Sequence, residues 1–488
     1  MDEFVHRIEQ RLTGEGVRLS MVSNPDGFLK QPDVQQAILK ACGLLLLPIG
    51  SSLELRVRYE LTDRSTSERI CYIMDDTDCI LPDIRKNLYD AHTFNLADIL
   101  PAYDGTQLSL AKPNFAMASY IYQKKKMYNL SAKETKEVME DAISLYGLTE
   151  TELIAKLDKI PLAWDKVETM DAICQVLLKA ISQDRYDKME DKIASLNENF
   201  QQYIDTKYFG LATSSHILKP KMVNKILPHL AYKHGHMDKV ALVVIDGMSY
   251  WQYLVLDRRL EQLGVQTHKD ISLAWLPSIT RLSRQAIFRG DMPTVNYSQN
   301  PMAEKKLWNE FWTEKCNASK RMNSYEIDYT YGSLFAGDYN LYKQAFVDVS
   351  LDEKMHSSSN NKDLYSLTEN WAKETAEGIK ALHDEKYTVY ITTDHGNIMA
   401  HHWRALSSIE RTFLYEKESR GSRHLMYAKH EYLEDFLQNN KYINNELLVH
   451  DNWAIWRNTN CFKGQDEITH GGSHFLEVVI PFITINHN

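Results

Sequence analysis

At about 150 residues per domain, the 488 residues of this chain predict two to four domains, and a hydrophobic fraction of 43% with a charged fraction of 25% excludes a disordered or fibrous chain. The formal net charge of -10 argues against broad, sequence-independent wrapping of nucleic acid, which needs many Lys and Arg contacts to phosphates, although a local basic groove stays open. The longest apolar run, LLLLPIG, is far shorter than the roughly 20 residues of a membrane span, and the six cysteines form no C-x-x-C pair, so we expect a cytoplasmic protein without a membrane partner.

Residues 1–110 are predicted to form a small α/β domain. Short apolar runs such as LELRVRYEL and ERICYIMDD alternate there with helix-like stretches, and a helix is expected to start near Pro82. Asp75, Asp76 and Asp78 could bind a metal ion, but they lack the Gly and the closing Glu of a calcium loop. A solvated turn is therefore the favoured interpretation.

Residues 111–236 are predicted to form a helical middle region. Segments such as SAKETKEVMEDAISLYGL are rich in Glu, Lys, Leu and Ala at helical spacing. Ser131 precedes Glu134, and Thr149 precedes Glu152, in the S/T-x-x-E arrangement that caps helix N-termini. The caps and the spacing agree on where two of these helices begin.

Residues 237–488 are predicted to form a third domain of the α/β class. The runs KVALVVID, YTVYITTD and VVIPFITI are nearly continuous in apolar residues, which is typical of parallel strands buried on both faces. Helical segments such as YSLTENWAKETAEGIKALHD lie between them.

Polar residues follow these strands where functional groups collect in an α/β sheet. Asp246 and Asp394 each close a buried strand, although VVIDG alone could equally be a strand followed by a capped helix. Thr280 opens an apolar periodic stretch that ends at Gly290, so it is predicted at a helix N-terminus, where free amides and the helix dipole favour a phosphate. The alternative is that Ser278 or Thr280 is only an N-cap.

Histidines accompany these acids in three further motifs. Asp352 and His356 are four residues apart and would share one helix face, His395 follows a strand-end aspartate, and a Gly-rich loop before the last strand carries His470 and His474. Carboxylates and imidazoles together suit zinc or manganese, and two such ions can clamp the attacking and leaving oxygens of a phosphoryl transfer.

The ordered motifs D-G, S-x-T followed by R-x-A-I-F-x-G, D-x-x-x-H, D-H-G and H-G-G resemble the PglZ domain of bacteriophage-exclusion (BREX) systems, a branch of the alkaline-phosphatase superfamily. The match covers Lys239 to Asn488, and NPDGFL and ILPDIR look like the N-terminal region of full-length PglZ proteins. The resemblance implies an alkaline-phosphatase-like doubly wound sheet in the C-terminal half, preceded by the small α/β domain and the helical region.

The resemblance also implies two divalent metal ions, Zn2+ with Mn2+ as the alternative, and assigns their ligands. One ion would be bound by Asp246, Thr280, Asp394 and His395. The other would be bound by Asp352, His356 and His470. Thr280 would be the nucleophile, with Ser278 as the fallback, and a phosphothreonine would form and then be hydrolysed.

Three residues are candidates for contacting the substrate: Arg284, Arg423 and His474. Guanidinium groups pair with phosphate in bidentate fashion, whereas His474 could also support a ligand or lie on the surface. The expected function is a metal-dependent phosphodiesterase or phosphatase in phage defence, with nucleotides or nucleic acid as candidate substrates. Other defence proteins would bind through residues 1–236. The alternatives are a non-catalytic scaffold subunit and a phosphomutase or phosphotransferase.

Overall fold

The computed structural model describes residues 3–77, 79–124, 128–214, 217–235, 237–315, 325–329, 341–415 and 419–487. Asp78 of the predicted acidic turn lies outside these described residues. The chain forms two compact units, an N-terminal unit (Met1–Thr149) and a C-terminal unit (Glu150–Asn488). The predicted boundaries near residues 110 and 236 stay a prediction.

The N-terminal unit contains a four-stranded parallel sheet in the order β2-β3-β1-β4. Its strands are β1 (Leu19–Ser23), β2 (Leu44–Pro48), β3 (Arg69–Met74) and β4 (Tyr89–Thr93). Its helices are α1 (Glu3–Leu12), α2 (Pro32–Cys42), α3 (Ser52–Arg58), α4 (Pro82–Arg85), α5 (Gly105–Ala111), α6 (Phe115–Gln123) and α7 (Ala132–Tyr146). The expected α/β fold and the helix start at Pro82 are confirmed.

Alternation along the strands places the apolar side chains of this sheet in two separate cores. Cys71 and Ile73 of β3 pack in one cluster with residues of α1, α2, α6 and α7, whereas Tyr72 and Met74 pack in another with residues of α3 and α4. The helix α7 begins with the predicted cap, because Ser131 Oγ accepts from the amide of Glu134 and the Glu134 carboxylate accepts from the amide of Ser131.

The C-terminal unit is built around a six-stranded mixed sheet in the order β6-β16-β9-β5-β8-β7. Its strands are β5 (Val240–Ile245), β6 (His268–Leu273), β7 (Tyr325–Tyr329), β8 (Lys343–Asp348), β9 (Thr388–Thr392) and β16 (Val479–Ile485). Two small sheets, ordered β14-β10-β15 and β11-β13-β12, contain β10 (Ile398–His402), β11 (His424–Met426), β12 (Leu447–His450), β13 (Trp453–Trp456), β14 (Asn460–Cys461) and β15 (Glu467–Thr469).

Helices cover both faces of the six-stranded sheet, as a doubly wound fold requires. The helices of the C-terminal unit are α8 (Glu150–Asp158), α9 (Val167–Ser182), α10 (Glu190–Tyr203), α11 (Phe209–Leu211), α12 (Ile226–Lys233), α13 (Tyr250–Gln262), α14 (Thr280–Arg289), α15 (Pro301–Lys315), α16 (Ser350–Ser357), α17 (Asn361–Asp384), α18 (Ser408–Thr412), α19 (His430–Asn439) and α20 (Phe475–Val478). Val240, Leu242 and Val244 of β5 pack with residues of α12, α14 and α15, and the alternate residues of β5 are buried as well. Among the described residues, no helix combines the length and the apolar character that crossing a membrane requires.

The expected parallel direction holds for two of the three predicted strands, β5 and β9, but is wrong for the third, β16. β5 pairs parallel with both β8 and β9, whereas β16 runs antiparallel to β9 and to β6. The apolar run of β16 reflects burial on both faces, which a central antiparallel strand shares with a parallel one.

Candidate metal and phosphoryl-transfer site

Two clusters of acidic and histidine side chains lie at the carboxyl end of the central strands. Asp246 directly follows β5, and Asp394 and His395 follow the neighbouring strand β9. We call these three residues the first cluster; they offer ligand atoms within 4.8 Å of one another. The Nε2 atom of His395 lies 3.8 Å from Asp246 Oδ1 and 3.7 Å from Asp394 Oδ2.

The second cluster consists of Asp352, His356 and His470, which also offer ligand atoms within 4.8 Å of one another. Asp352 and His356 lie on the same face of α16, as their spacing predicts, with His356 Nε2 at 3.4 Å from Asp352 Oδ1. His470 follows β15, and its ring stacks on the ring of His395 at a centroid distance of 3.8 Å. The two clusters are therefore neighbours.

Each carboxylate of the two clusters has one oxygen held by the protein. Asp246 Oδ2 accepts from Arg284 at 2.8 Å, Asp352 Oδ2 accepts from Arg420 at 2.9 Å, and Asp394 Oδ1 accepts from two backbone amides. The other oxygen of each is buried and has no hydrogen-bond partner within the described part of the chain. Such orphaned buried acceptors are costly unless a cation binds them, so the residues present fit divalent metal ions.

The rings of His395 and His470 are each oriented by a hydrogen bond from one ring nitrogen to a backbone carbonyl. The Nδ1 atom of His395 lies 3.0 Å from the carbonyl oxygen of Gly396, and that of His470 lies 3.0 Å from the carbonyl oxygen of Ser278. Because a carbonyl only accepts, each Nδ1 carries the hydrogen and each Nε2 offers a lone pair. In this tautomer the Nε2 atom can bind a metal ion.

Burial controls the charges of the site. Burial, together with repulsion from nearby carboxylates, raises the pKa of Asp246 well above its usual range, and burial raises the pKa of Asp394 to about 6. Burial acts upward on the pKa of Asp352 too, but the nearby imidazoles of His356 and His470 outweigh burial and lower that pKa. Burial lowers the pKa of His470 and His395, which favours neutral rings. Divalent cations would relieve the unfavourable burial of these carboxylates.

Thr280 is the first residue of α14, and its Oγ1 lies 3.0 Å from His395 Nε2. Ile279 occupies the N-cap without a side-chain hydrogen bond, so neither Ser278 nor Thr280 is the cap. Ser278 is fully buried, donates to the carbonyl of Gly472 and accepts from the amide of Gly471. The Thr280 hydroxyl therefore fits a nucleophile better than the engaged Ser278 hydroxyl.

A groove of about 290 Å³ opens over both clusters, lined by Asp246, Thr280, Arg281, Asp352, Arg420 and His470 among others.

The family model described as "BREX system PglZ alkaline phosphatase-like domain" matches residues 222–485. The chain belongs to the PglZ family. No curated protein matches its sequence significantly.

Two solved structures similar to this PglZ chain are those of murine and of human ectonucleotide pyrophosphatase/phosphodiesterase 5. Each is 11% identical in sequence with a TM-score of 0.37, and each match covers 51% of this chain and 88% of the other. Phosphonoacetate hydrolase from Sinorhizobium meliloti 1021, in complex with phosphonoformate, is also 11% identical with a TM-score of 0.34, covering 51% of this chain and 90% of its own.

The three predicted substrate contacts of the PglZ domain do not lie in the groove. Arg284 is 5% exposed and bonded to Asp246 and Glu304, and Arg423 is fully buried. His474 is fully buried at the N-cap of α20, where its Nδ1 accepts from the amide of Leu476. Their placement does not support a direct contact with substrate, because each side chain is buried beneath the surface that a substrate would touch.

Two glutamates of the PglZ domain were missed by sequence reasoning. Glu304 of α15 and Glu477 of α20 are both fully buried and are paired with Arg284 and Arg423. Glu304 has no local signal in the sequence. Glu477 stands three residues after His474, at the position where a capping box has its carboxylate acceptor. That spacing could have indicated its role from the sequence.

Proposed function

We propose that this PglZ-family chain is a divalent-metal-dependent phosphodiesterase or phosphatase that acts in a BREX-type phage-defence system. The observation that carries the proposal is the hydroxyl of Thr280 at a helix N-terminus, within hydrogen-bonding distance of the first cluster and beside the groove. Nucleotides or nucleic-acid phosphodiesters are the proposed substrates.

The first cluster together with Thr280 would hold one ion, and the second cluster would hold the other. Mixed carboxylate and imidazole ligands favour Zn2+, with Mn2+ as the alternative. Bound ions would supply Lewis-acid stabilisation of the charge that develops on a transferring phosphoryl group.

The chain's own residues would bind and orient the substrate phosphate. The N-terminus of α14 favours an anion through its amides and its dipole. Arg420, whose side chain is 63% exposed, uses one nitrogen on Asp352 and can direct other N–H groups into the groove. The Oγ1 atom of Thr280 would attack phosphorus as the ester P–O bond breaks, and the hydroxyl proton would leave with the departing alcohol. Water would then cleave the bond between phosphorus and Thr280 Oγ1, which releases the phosphate product and restores the hydroxyl.

The test is hydrolysis of a chromogenic phosphodiester by the purified full chain, with Zn2+ or Mn2+ added and then chelated. Thr280→Ala should lower metal-dependent turnover by at least about 1,000-fold, because loss of a covalent nucleophile removes the whole pathway. The matched control is Thr412→Ala at an exposed position of α18, which should leave turnover unchanged.

Full turnover by Thr280→Ala would eliminate this residue as the nucleophile. Metal binding without turnover in the wild-type chain would instead favour a scaffold subunit, and transfer of phosphate to an acceptor would favour a phosphotransferase. The last two outcomes each separate one alternative function from the proposed hydrolase.

Residues 1–236 are proposed to bind other phage-defence proteins. Leu53 and Val57 of α3 and Leu61 just after it are 72%, 49% and 76% exposed, which is unusual for three apolar residues so close together. Co-expression with the other defence subunits should recover a complex that Leu53→Glu with Leu61→Glu weakens. An unchanged complex would exclude this surface.

A further inference from the structure

Two buried arginine–glutamate pairs contact the two clusters, one pair for each. Arg284 pairs with Glu304, and Arg423 pairs with Glu477, and all four side chains are at most 6% exposed. Burying two charges is costly, and such a pair is often no more stabilising than apolar residues of the same volume. Both pairs therefore call for a role other than stability.

The first pair holds Asp246. Arg284 binds Glu304 through two nitrogens, at 2.9 Å each, and donates a third hydrogen bond of 2.8 Å to Asp246 Oδ2. This contact fixes the carboxylate so that its unpartnered Oδ1 lies on the side of His395. Glu304 neutralises the guanidinium, which would otherwise repel a cation bound at Asp246.

The second pair holds the Gly-rich loop that carries His470. Glu477 accepts from Arg423 at 3.0 Å, from the amide of Gly472 at 2.8 Å and from the amide of His474 at 3.2 Å. The amide of Arg423 in turn donates to the carbonyl of His470 at 3.3 Å. A side chain at Gly472 would overlap the Arg423 guanidinium, so the loop can approach Arg423 this closely only with glycine there.

We propose that each pair positions the ligands of one metal ion: Arg284 and Glu304 serve the first cluster, and Arg423 and Glu477 serve the second. The inference rests on the metal-holding role proposed above. All four are positioning residues, since they act through Asp246 and through the His470 loop. This positioning role explains why Arg284 and Arg423 contact buried glutamates and do not line the groove.

Selectivity for one cluster distinguishes positioning from a general structural role. The full chain is freed of metal, and Zn2+ binding is measured by calorimetry, with circular dichroism as the check of folding. His395→Ala and His470→Ala provide backgrounds in which only the second or only the first cluster is intact. Glu304→Gln and Glu477→Gln are then introduced into each background.

Glu304→Gln should weaken Zn2+ binding about 10- to 100-fold in the His470→Ala background, where the first cluster remains, because the unneutralised Arg284 stays beside Asp246. It should change binding less than about twofold in the His395→Ala background, since the hydrogen bond that links the pair to a metal ligand runs to Asp246 of the first cluster. Glu477→Gln should show the reverse selectivity.

Equal losses in both backgrounds, no loss in either, or a wild-type chain that binds no Zn2+ would overturn the inference. If a glutamine variant does not fold, Arg284→Lys and Arg423→Lys replace it, because lysine keeps the charge but loses the bidentate contact and should give the same selectivity. Zn2+ alone is the probe, so a chain that binds ions selectively but hydrolyses no phosphodiester would refute the proposed activity and leave this inference standing.

Discussion

Gly396, directly after His395, is the position where one added methyl group should do the most damage to the C-terminal unit. Its amide donates to the carbonyl of Glu477 at 2.9 Å, so two backbone segments lie in contact. A Cβ atom at this position would overlap the carbonyl oxygen of Leu476 and lie 2.9 Å from Ser249 Oγ. Backbone cannot rotate away as a flexible side chain can, so one of the two segments must shift.

Gly396→Ala should therefore lower the free energy of unfolding by about 3 kcal/mol, the upper end of the usual range for overpacking. With an unfolding entropy of about 2.1 cal/mol/K per residue across the Glu150–Asn488 unit, this loss lowers Tm by about 4 °C. Differential scanning calorimetry of the chelated protein measures the shift without any contribution from bound metal.

Gly210→Ala is the matched control. No atom lies within 4 Å of the Cβ that would be added there, and Gly210 is part of the helical turn α11. Alanine should leave stability unchanged or raise it by up to about 1 kcal/mol, because it restricts the unfolded chain. A Tm of Gly396→Ala within about 1 °C of the wild type would refute the close approach of the two segments.

Two further predictions concern a buried histidine and a helix cap. Burial lowers the pKa of His424 to about 4 from an ordinary value of 6.5, so between these pH values the unfolded chain binds more protons than the folded one and stability rises with pH by about 3 kcal/mol in total. His424→Phe should remove that slope from denaturant midpoints measured between pH 4.5 and 7, and an identical slope in both proteins would contradict the reasoning. Ser131→Ala, which removes the reciprocal cap of α7 with Glu134, should cost about 1 kcal/mol in urea unfolding, and an unchanged midpoint would show that the cap contributes nothing.

Much of the candidate site could be predicted because its residues stand at the ends of regular elements. Asp246 and Asp394 follow strands that can be recognised in the sequence by their apolar runs. Neighbouring parallel strands bring their carboxyl ends to one edge of the sheet. Thr280 opens a helix that is closed by Gly290, which adopts a left-handed conformation with φ 65°. In each case the local pattern indicates where the side chain stands, although it left open whether the residue is only a cap.

The direction of β16 could not be predicted in this way. Its run of apolar residues shows that both faces are covered, but direction depends on which edge of the sheet the preceding loop reaches. That loop contains His470, and the small sheet and α20 before β16 return the chain to the carboxyl ends of β5 and β9. Only an antiparallel strand can start from that edge.

The arginines show a second limit of the sequence. Arg284 and Arg423 were expected to contact substrate because a guanidinium pairs well with phosphate. Their actual partners, Glu304 and Glu477, are 20 and 54 residues away. Nothing in the spacing of charges at such distances tells whether a cation faces the groove or a buried carboxylate, so the choice appears only when the elements pack.

The two hydroxyl residues of the S-x-T motif, Ser278 and Thr280, make different contacts. Its carbonyl accepts from His470 Nδ1 at 3.0 Å, and its hydroxyl bridges the carbonyl of Gly472 and the amide of Gly471. Thr280, two residues further on, presents its hydroxyl to the first cluster. Ser278 thus connects the loop that carries His470 to the start of α14, where Thr280 lies. The two-residue spacing of the motif therefore limits how far the Thr280 hydroxyl can lie from the second cluster. Because the Ser278 hydroxyl is engaged in two hydrogen bonds, Thr280 is the better candidate for the proposed nucleophile.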